Sequence, residues 1–221
     1  MREIVLDTET TGFDPKSGDR VVEIGAVEVV HKLATGGYFH RYLNPERDMP
    51  EDAFKVHGLS SDFLADKPVF KDVADDFLAF IGDSPLVIHN AAFDMRFLNH
   101  ELKAVGYAPI AAERAVDTLL IAQKKFPGSP NSLDALCRRF EVDGSARVRH
   151  GALLDCELLA EVYLHLCGGR QVGLDLAVRA RRRASPDERP FREARDFPVA
   201  EAELRAHAAF VATLKNPIWN T

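Results

Sequence analysis

Cysteine, tryptophan and long apolar runs are all scarce in this chain of 221 residues. The three cysteines, Cys137, Cys156 and Cys167, form no Cys-x-x-Cys pair and are odd in number, which argues against a disulfide framework and for a reducing cytoplasm. No stretch approaches the roughly 20 apolar residues that cross a bilayer. The amino terminus, MREIVLDTET, has neither the basic nor the apolar segment of a secretory leader. These absences predict a soluble, cytoplasmic protein without a membrane partner. The length predicts one globular domain with an appendage. A body of roughly 150–180 residues buries about 70% of the surface its unfolded chain exposes, so no structural metal is required.

Positive charge is short too, and unevenly placed. The formal net charge is −6. Residues 177–221 hold nine Lys/Arg and six Asp/Glu, leaving 19 basic and 28 acidic residues in the rest. A body that acidic binds a polyanion weakly by bulk electrostatics. It can still act on one if cations neutralise its carboxylates or if another protein delivers the substrate.

Three short apolar segments, EIVLDTE, RVVEIGAVEVV and GGYFHRYLN, read as strands joined closely enough to be antiparallel neighbours. The apolar positions of VFKDVADDFLAFIGD follow a helical stripe that ends near Gly82. PLVIHN reads as a fourth strand and leads into a helix through FDMRFLNHELKAVG. AVDTLLIAQKKF passes from a fifth short strand into a helix, SLDALCRRF forms another, and ALLDCELLAEVYLHL a last long one, stopped by CGGR. Antiparallel strands followed by strand–helix units predict an α/β fold, a mixed five-stranded sheet flanked by helices on both faces. After Gly169 the composition turns charged and proline-punctuated, predicting a flexible carboxy-terminal tail. Within it VAEAELRAHAAFVATLK suggests a short helix, and Trp219 an anchor for a partner.

Asp7 and Glu9 lie two apart at the end of the first strand, so their side chains leave one face. Two carboxylates so placed repel, and a hard divalent cation relieves them. For a bare pair, a solvated turn ahead of TTGFDP is the better explanation. Asp94 follows the fourth strand where a helix begins, Asp155 lies about one turn into the last helix, and His150 precedes it by five residues. Singly, a helix-start Asp fits a cap and a His before Gly a turn. Together, four carboxylates at element ends with a histidine suit two-metal phosphodiester hydrolysis, the histidine taking the proton of the attacking water.

LDTETTG, HNAAFD and HGALLD resemble the three exonuclease motifs of the DEDD superfamily, and the spacing from His150 to Asp155 resembles its DEDDh branch. Residues 4–169, through VVEIGAVEVV, AFKVHGLSSDFLADKP, KKFPGSPNSLDALCRRF and HGALLDCELLAEVYL, resemble the epsilon-subunit family of bacterial DNA polymerase III. The resemblance implies an RNase H-like fold and a proofreading 3′→5′ exonuclease that removes mispaired nucleotides from a DNA 3′ end. It implies two Mg²⁺ or Mn²⁺ ions held by Asp7, Glu9, Asp94 and Asp155, with His150 as general base. Glu9, His57, Asn90 and Asp155 would meet the substrate, with the Thr8–Gly12 backbone bordering the pocket. His57 fits a core or loop histidine as well, and His89 gains no role. Where the family has Glu before AF, this chain has Asp52, which puts a direct 3′-hydroxyl contact there in doubt.

QVGLDL resembles the peptide by which replication proteins dock on the sliding clamp, with Gln171, Leu174 and Leu176 as its contacts. A chance match or helix-end packing is the alternative, and the position directly after the epsilon-like region favours the clamp peptide. The implied layout is an exonuclease domain over 1–169, a clamp peptide over 170–176, and a linker and tail over 177–221 that binds the polymerase alpha subunit. Lys124–Lys125 and Arg138–Arg139 read as solvated helix faces, and RARRR as a docking linker rather than a nucleic-acid patch. Two other functions remain open on sequence. One is a stand-alone exonuclease of the same superfamily acting on RNA or single-stranded DNA. The other is a non-catalytic subunit that stabilises a polymerase, which the full set of five catalytic-type residues disfavours.

Overall fold

The structure is a computed structural model describing residues 1–145, 147, 149–169 and 198–215. The chain divides into two units, Met1–Leu174 and Asp175–Thr221. In the second, the described residues form one helix, α8 (Glu201–Val211).

The first unit is built on β1 (Arg2–Thr10), β2 (Val21–Val30), β3 (Leu33–Tyr42), β4 (Leu86–Ile88) and β5 (Ala115–Asp117). They form one sheet in the order β3-β2-β1-β4-β5. β1–β2 and β2–β3 are antiparallel, whereas β4 pairs parallel to both β1 and β5. β1 is therefore central. Alternation along it divides the core in two. Ile4 and Leu6 join Ile24, Phe77, Phe97 and Leu98 on one face, beneath α3 (Phe70–Ile81) and α4 (Ala91–Ala104). Val5 joins Val27, Val87, Leu136 and Leu159 on the other, beneath α6 (Leu133–Phe140) and α7 (Ala152–Leu166). The remaining helices are α1 (Glu51–His57), α2 (Ser61–Leu64) and α5 (Thr118–Lys125). The predicted mixed five-stranded sheet with helices on both faces is what the chain forms.

Three local features differ from the sequence reading. β3 starts at Leu33 rather than in the glycines, because His31 and Lys32 close a tight hairpin at positive φ (53° and 68°). The helices α1 and α2 arise in AFKVHGLSSDFL, too short to show a periodic stripe. Arg139 is a structural residue, bonding Asn131 and Pro130 and lying 4.3 Å from the centre of the Phe126 ring, while Lys125 holds the last carbonyls of α7. Among the described residues no helix is long and apolar enough to cross a membrane. Gln171, Leu174, Leu176, the RARRR run and Trp219 lie outside the described residues.

Candidate active site

The carboxy-terminal end of β1 is where the two helical layers converge. Asp7 and Glu9 follow Val5 on the face covered by α7, whose first full turn carries Asp155. From the other layer α4 brings Asp94, 3% exposed, whose carboxylate accepts hydrogen bonds from the Thr8 amide (3.0 Å) and hydroxyl (2.7 Å). Gly25, opposite Asp7 on β2, is what lets α7 lie so close. A Cβ there would stand 2.3 Å from the Ala152 carbonyl carbon. The Cys156 thiol donates to the Gly25 carbonyl at 3.2 Å and fixes the same approach.

This convergence confines negative charge. Burial, then Asp94, Glu9 and Asp155, raise Asp7 well above the ordinary carboxylate range. Glu9 is pushed up to about 8 by burial and by Glu23, its cross-strand neighbour. Asp94 is pushed up to about 7 by burial, against the lowering effect of its bonds from Thr8. Ligand atoms of Glu9, Asp155 and His150 lie within 4.8 Å of one another. Such a set of oxygens, each costly to ionise alone, suits hard divalent cations rather than softer metals. The carboxylates named from sequence are thus brought together, and His150 with them.

Sequence reasoning missed three neighbours. Glu23 is buried and bonded to His40 Nε2 at 2.7 Å. Arg147, in the charged run before His150, grips both Asp155 oxygens (2.5 and 2.6 Å), bonds Asp134, and donates to His150 Nδ1 at 3.1 Å. Phe13, 83% exposed, stands on the wall between two clefts of about 630 and 520 Å³ that share Thr8, Glu9 and Phe93. An isolated glycine in a strand pattern was the available sign for Gly25; Arg147 had none.

The remaining predicted residues fall around these clefts. Asn90 borders the larger one and adopts the left-handed backbone (φ 69°) that places α4. Its amide and that of Ala91 are held by Asp117. His89 Nδ1 meets the Thr118 hydroxyl at 3.0 Å, orienting a strand end. His57 and the Thr8–Gly12 segment line the smaller cleft. His57 is buried, burial lowers its proton affinity, and Nδ1 accepts from the Leu59 amide. Its Nε2 is buried without a well-formed hydrogen bond, although the Thr10 backbone raises its affinity slightly. Asp52 reaches the same cleft exposed, 3.7 Å from the Lys55 ammonium. The loop before α7 is fastened to α1 by the His150 amide on the Val56 carbonyl (3.3 Å) and by the Arg149 guanidinium, 5.7 Å from the centre of the Phe54 ring.

A twisted mixed sheet whose central strand ends in a carboxylate cluster defines a nuclease of the exonuclease class, and residues 4–163 match the Exonuclease family. The solved structure of Exonuclease X in complex with 5′ overhanging duplex DNA is similar at 25% identity and TM-score 0.57, covering 74% of this chain and 89% of that one. The nuclease domain of 3′hExo, a DEDDh family member bound to rAMP, shares the fold at 18% identity and TM-score 0.64, over 75% and 91%. Among curated relatives, DNA polymerase III subunit epsilon of Rickettsia felis is 60% identical over 77% of this chain and 76% of its own. That of Escherichia coli K12 is 49% identical over 76% and 72%. The chain belongs to the DNA polymerase III epsilon subunits of the exonuclease family.

Proposed function

We propose that the chain is the proofreading 3′→5′ exonuclease of a replicative polymerase, trimming mispaired nucleotides from the DNA primer end. The observation that carries this reading is the gathering of Asp7, Glu9, Asp94 and Asp155 with His150 at the end of one strand. Two divalent cations, Mg²⁺ or Mn²⁺, bound by the four carboxylates would supply charge neutralisation at the attacking and leaving oxygens. His150, beside Glu9 and Asp155, takes the proton of the attacking water. The water oxygen bonds to phosphorus, the P–O3′ bond breaks, O3′ takes a proton from solvent, and a nucleoside 5′-monophosphate leaves a strand with a free 3′-hydroxyl. The cleft of His57 and Thr8–Gly12 receives the terminal nucleoside, with His57 Nε2–H as a spare donor. Asn90, Glu9 and Asp155 face the scissile phosphate. Phe13 offers a ring for base stacking. Asp52, one carbon shorter than Glu, leaves the 3′-hydroxyl to other groups.

In the same reading residues 1–169 are the exonuclease domain. Gln171, Leu174 and Leu176 dock on a sliding clamp, and residues 177–221 bind the polymerase alpha subunit. Tethering holds the acidic body at the primer end through effective concentration. The test is release of 3′-terminal nucleotides from single-stranded DNA by the full chain, with Mg²⁺ or Mn²⁺ and again with excess EDTA. Full activity in EDTA would overturn the metal reading. Pull-downs with purified clamp and polymerase subunit, before and after deletion of 177–221, test the assembly.

A further inference from the structure

The acidity of the body conceals one basic surface. On α4 the inward face carries Asp94 and Glu101, both buried, and the outward face carries Arg96, His100 and Lys103 at helical spacing. These three exposed residues and Lys16, from the loop after β1, line a groove of about 580 Å³. Among the described residues none of the three cations Lys16, Arg96 and Lys103 lies within 4.0 Å of a carboxylate. One carboxylate lines the groove, Asp117, and it is engaged by the amides of Asn90, Ala91, Leu119 and Leu120.

The groove begins where the active site ends. Ala91 and Ala92, at its mouth, directly follow Asn90 of the catalytic cleft. Arg96 also donates to the Phe13 carbonyl at 2.8 Å and stands 5.8 Å from the centre of the Phe93 ring, so it braces the wall between the catalytic clefts. From Arg96 to Lys103 the helix rises about 10 Å, at roughly 1.5 Å per residue. A line of unpaired cations running that far from a phosphodiester-cleaving centre is complementary to a phosphate backbone. We propose that this groove binds the backbone of the substrate strand on the 5′ side of the scissile bond. The proposal rests on the nuclease reading above and adds the path of the strand to it.

The test compares the full chain with Lys16→Gln/Lys103→Gln and with the charge-reversed Lys16→Glu/Lys103→Glu. Substrates are a single-stranded DNA decamer, a duplex carrying the same 3′-ended strand, and the p-nitrophenyl ester of thymidine 5′-monophosphate, which is too small to reach the groove. Removing two phosphate contacts lowers the slope of log KM against log salt for the decamer by about 1.4, at roughly 0.7 per contact on single strands. KM at low salt rises on the order of tenfold, more for the reversed charges, while ester turnover stays at the wild-type level. An unchanged slope and KM in both variants would overturn the groove assignment. A defect seen with duplex but not with the decamer would overturn it too, assigning the groove to the complementary strand. Failure of the wild-type chain to cleave either substrate would sink the nuclease reading instead.

Discussion

Gly25→Ala tests whether one missing methyl group sets the position of the catalytic helix. The added Cβ would meet the Ala152 carbonyl carbon at 2.3 Å, its oxygen at 2.4 Å and the Leu153 amide nitrogen at 2.5 Å, all backbone atoms that cannot rotate away. Ordinary contact begins near 3.4 Å, so the start of α7 must retreat by about 1 Å. Asp155 rides on that turn. A displacement of this size costs about 100-fold in rate when the reacting geometry is fixed. Overpacking of a closed core adds roughly 1–3 kcal/mol of destabilisation, or a melting temperature lower by about 2–12 °C for a domain of this length. Nucleotide release from single-stranded DNA at saturating Mn²⁺ reads the first effect, and thermal unfolding by circular dichroism the second. Gly151→Ala is the control: it sits at the same helix start in extended backbone, with nothing within 4 Å of its Cβ. Turnover within a few-fold of wild type in Gly25→Ala would refute the reasoning.

Further outcomes follow from the site's charge. Glu9 and Asp94 titrate near 8 and 7 when folded, against about 4.3 and 3.9 in a free chain. The folded state therefore holds protons that the unfolded state has released, and stability of the ion-free protein falls as pH rises from about 5 through 8. Melting in EDTA across that range checks this, and a flat profile contradicts it. Asp7→Asn removes one of the repelling charges, so it should abolish nuclease activity yet raise the ion-free melting temperature by about 2–4 °C, corresponding to about 1 kcal/mol; a lower melting temperature would show that the repulsion is already relieved. Arg147→Ala strips Asp155 of its fork, which costs about 3–5 kcal/mol for a buried pair. The loss should shrink with saturating Mn²⁺, and an equal loss in both conditions would mean that Arg147 acts elsewhere. His150→Ala should lower kcat by about 10²–10⁴ while the dissociation constant for single-stranded DNA changes little, and unchanged kcat would remove it as the base. Leu174→Ala/Leu176→Ala deletes two anchors worth about 1.5–3 kcal/mol each if fully buried, so clamp capture should disappear with digestion of free DNA intact.

The sheet was legible because its strands are apolar, short and separated by clear turn residues, and the candidate site because its carboxylates sit where those strands and helices end. Asp94 and Asp155, read singly, fit helix caps; they were named as a set with Asp7, Glu9 and His150 through the resemblance of three motifs, and the structure places all five around one cleft. What escaped was whatever depends on close approach in three dimensions. Gly25 matters only because a helix 127 residues later lies on it. Arg147 sits in a run with no periodicity, and its importance comes from the folding back of that run over Asp155. The basic groove was hidden by averaging, since Asp94 and Glu101 cancel Arg96 and Lys103 in sequence but point into the core. His57 was named by resemblance, yet its buried, unsatisfied Nε2 is a property of the packed cleft alone.

Glu3, Lys32 and Tyr163 form a cluster in which the lysine ammonium lies 2.6 Å from both the carboxylate and the phenol, fastening the first strand to the last helix of the body. Asp7 and Asp155 are joined by the same closure. A ribosome adding roughly 5–20 residues per second makes the second of these carboxylates about 7–30 s after the first. Throughout that interval the Val5 face of the sheet lacks α7, although α3 and α4 are already made to cover Ile4 and Leu6, and the carboxylate cluster exists only as separated parts. If Asp155 holds a catalytic cation, as proposed, a nascent copy cannot cut nucleic acid before that residue is made. Competence arrives with α7, in the same step that completes the core.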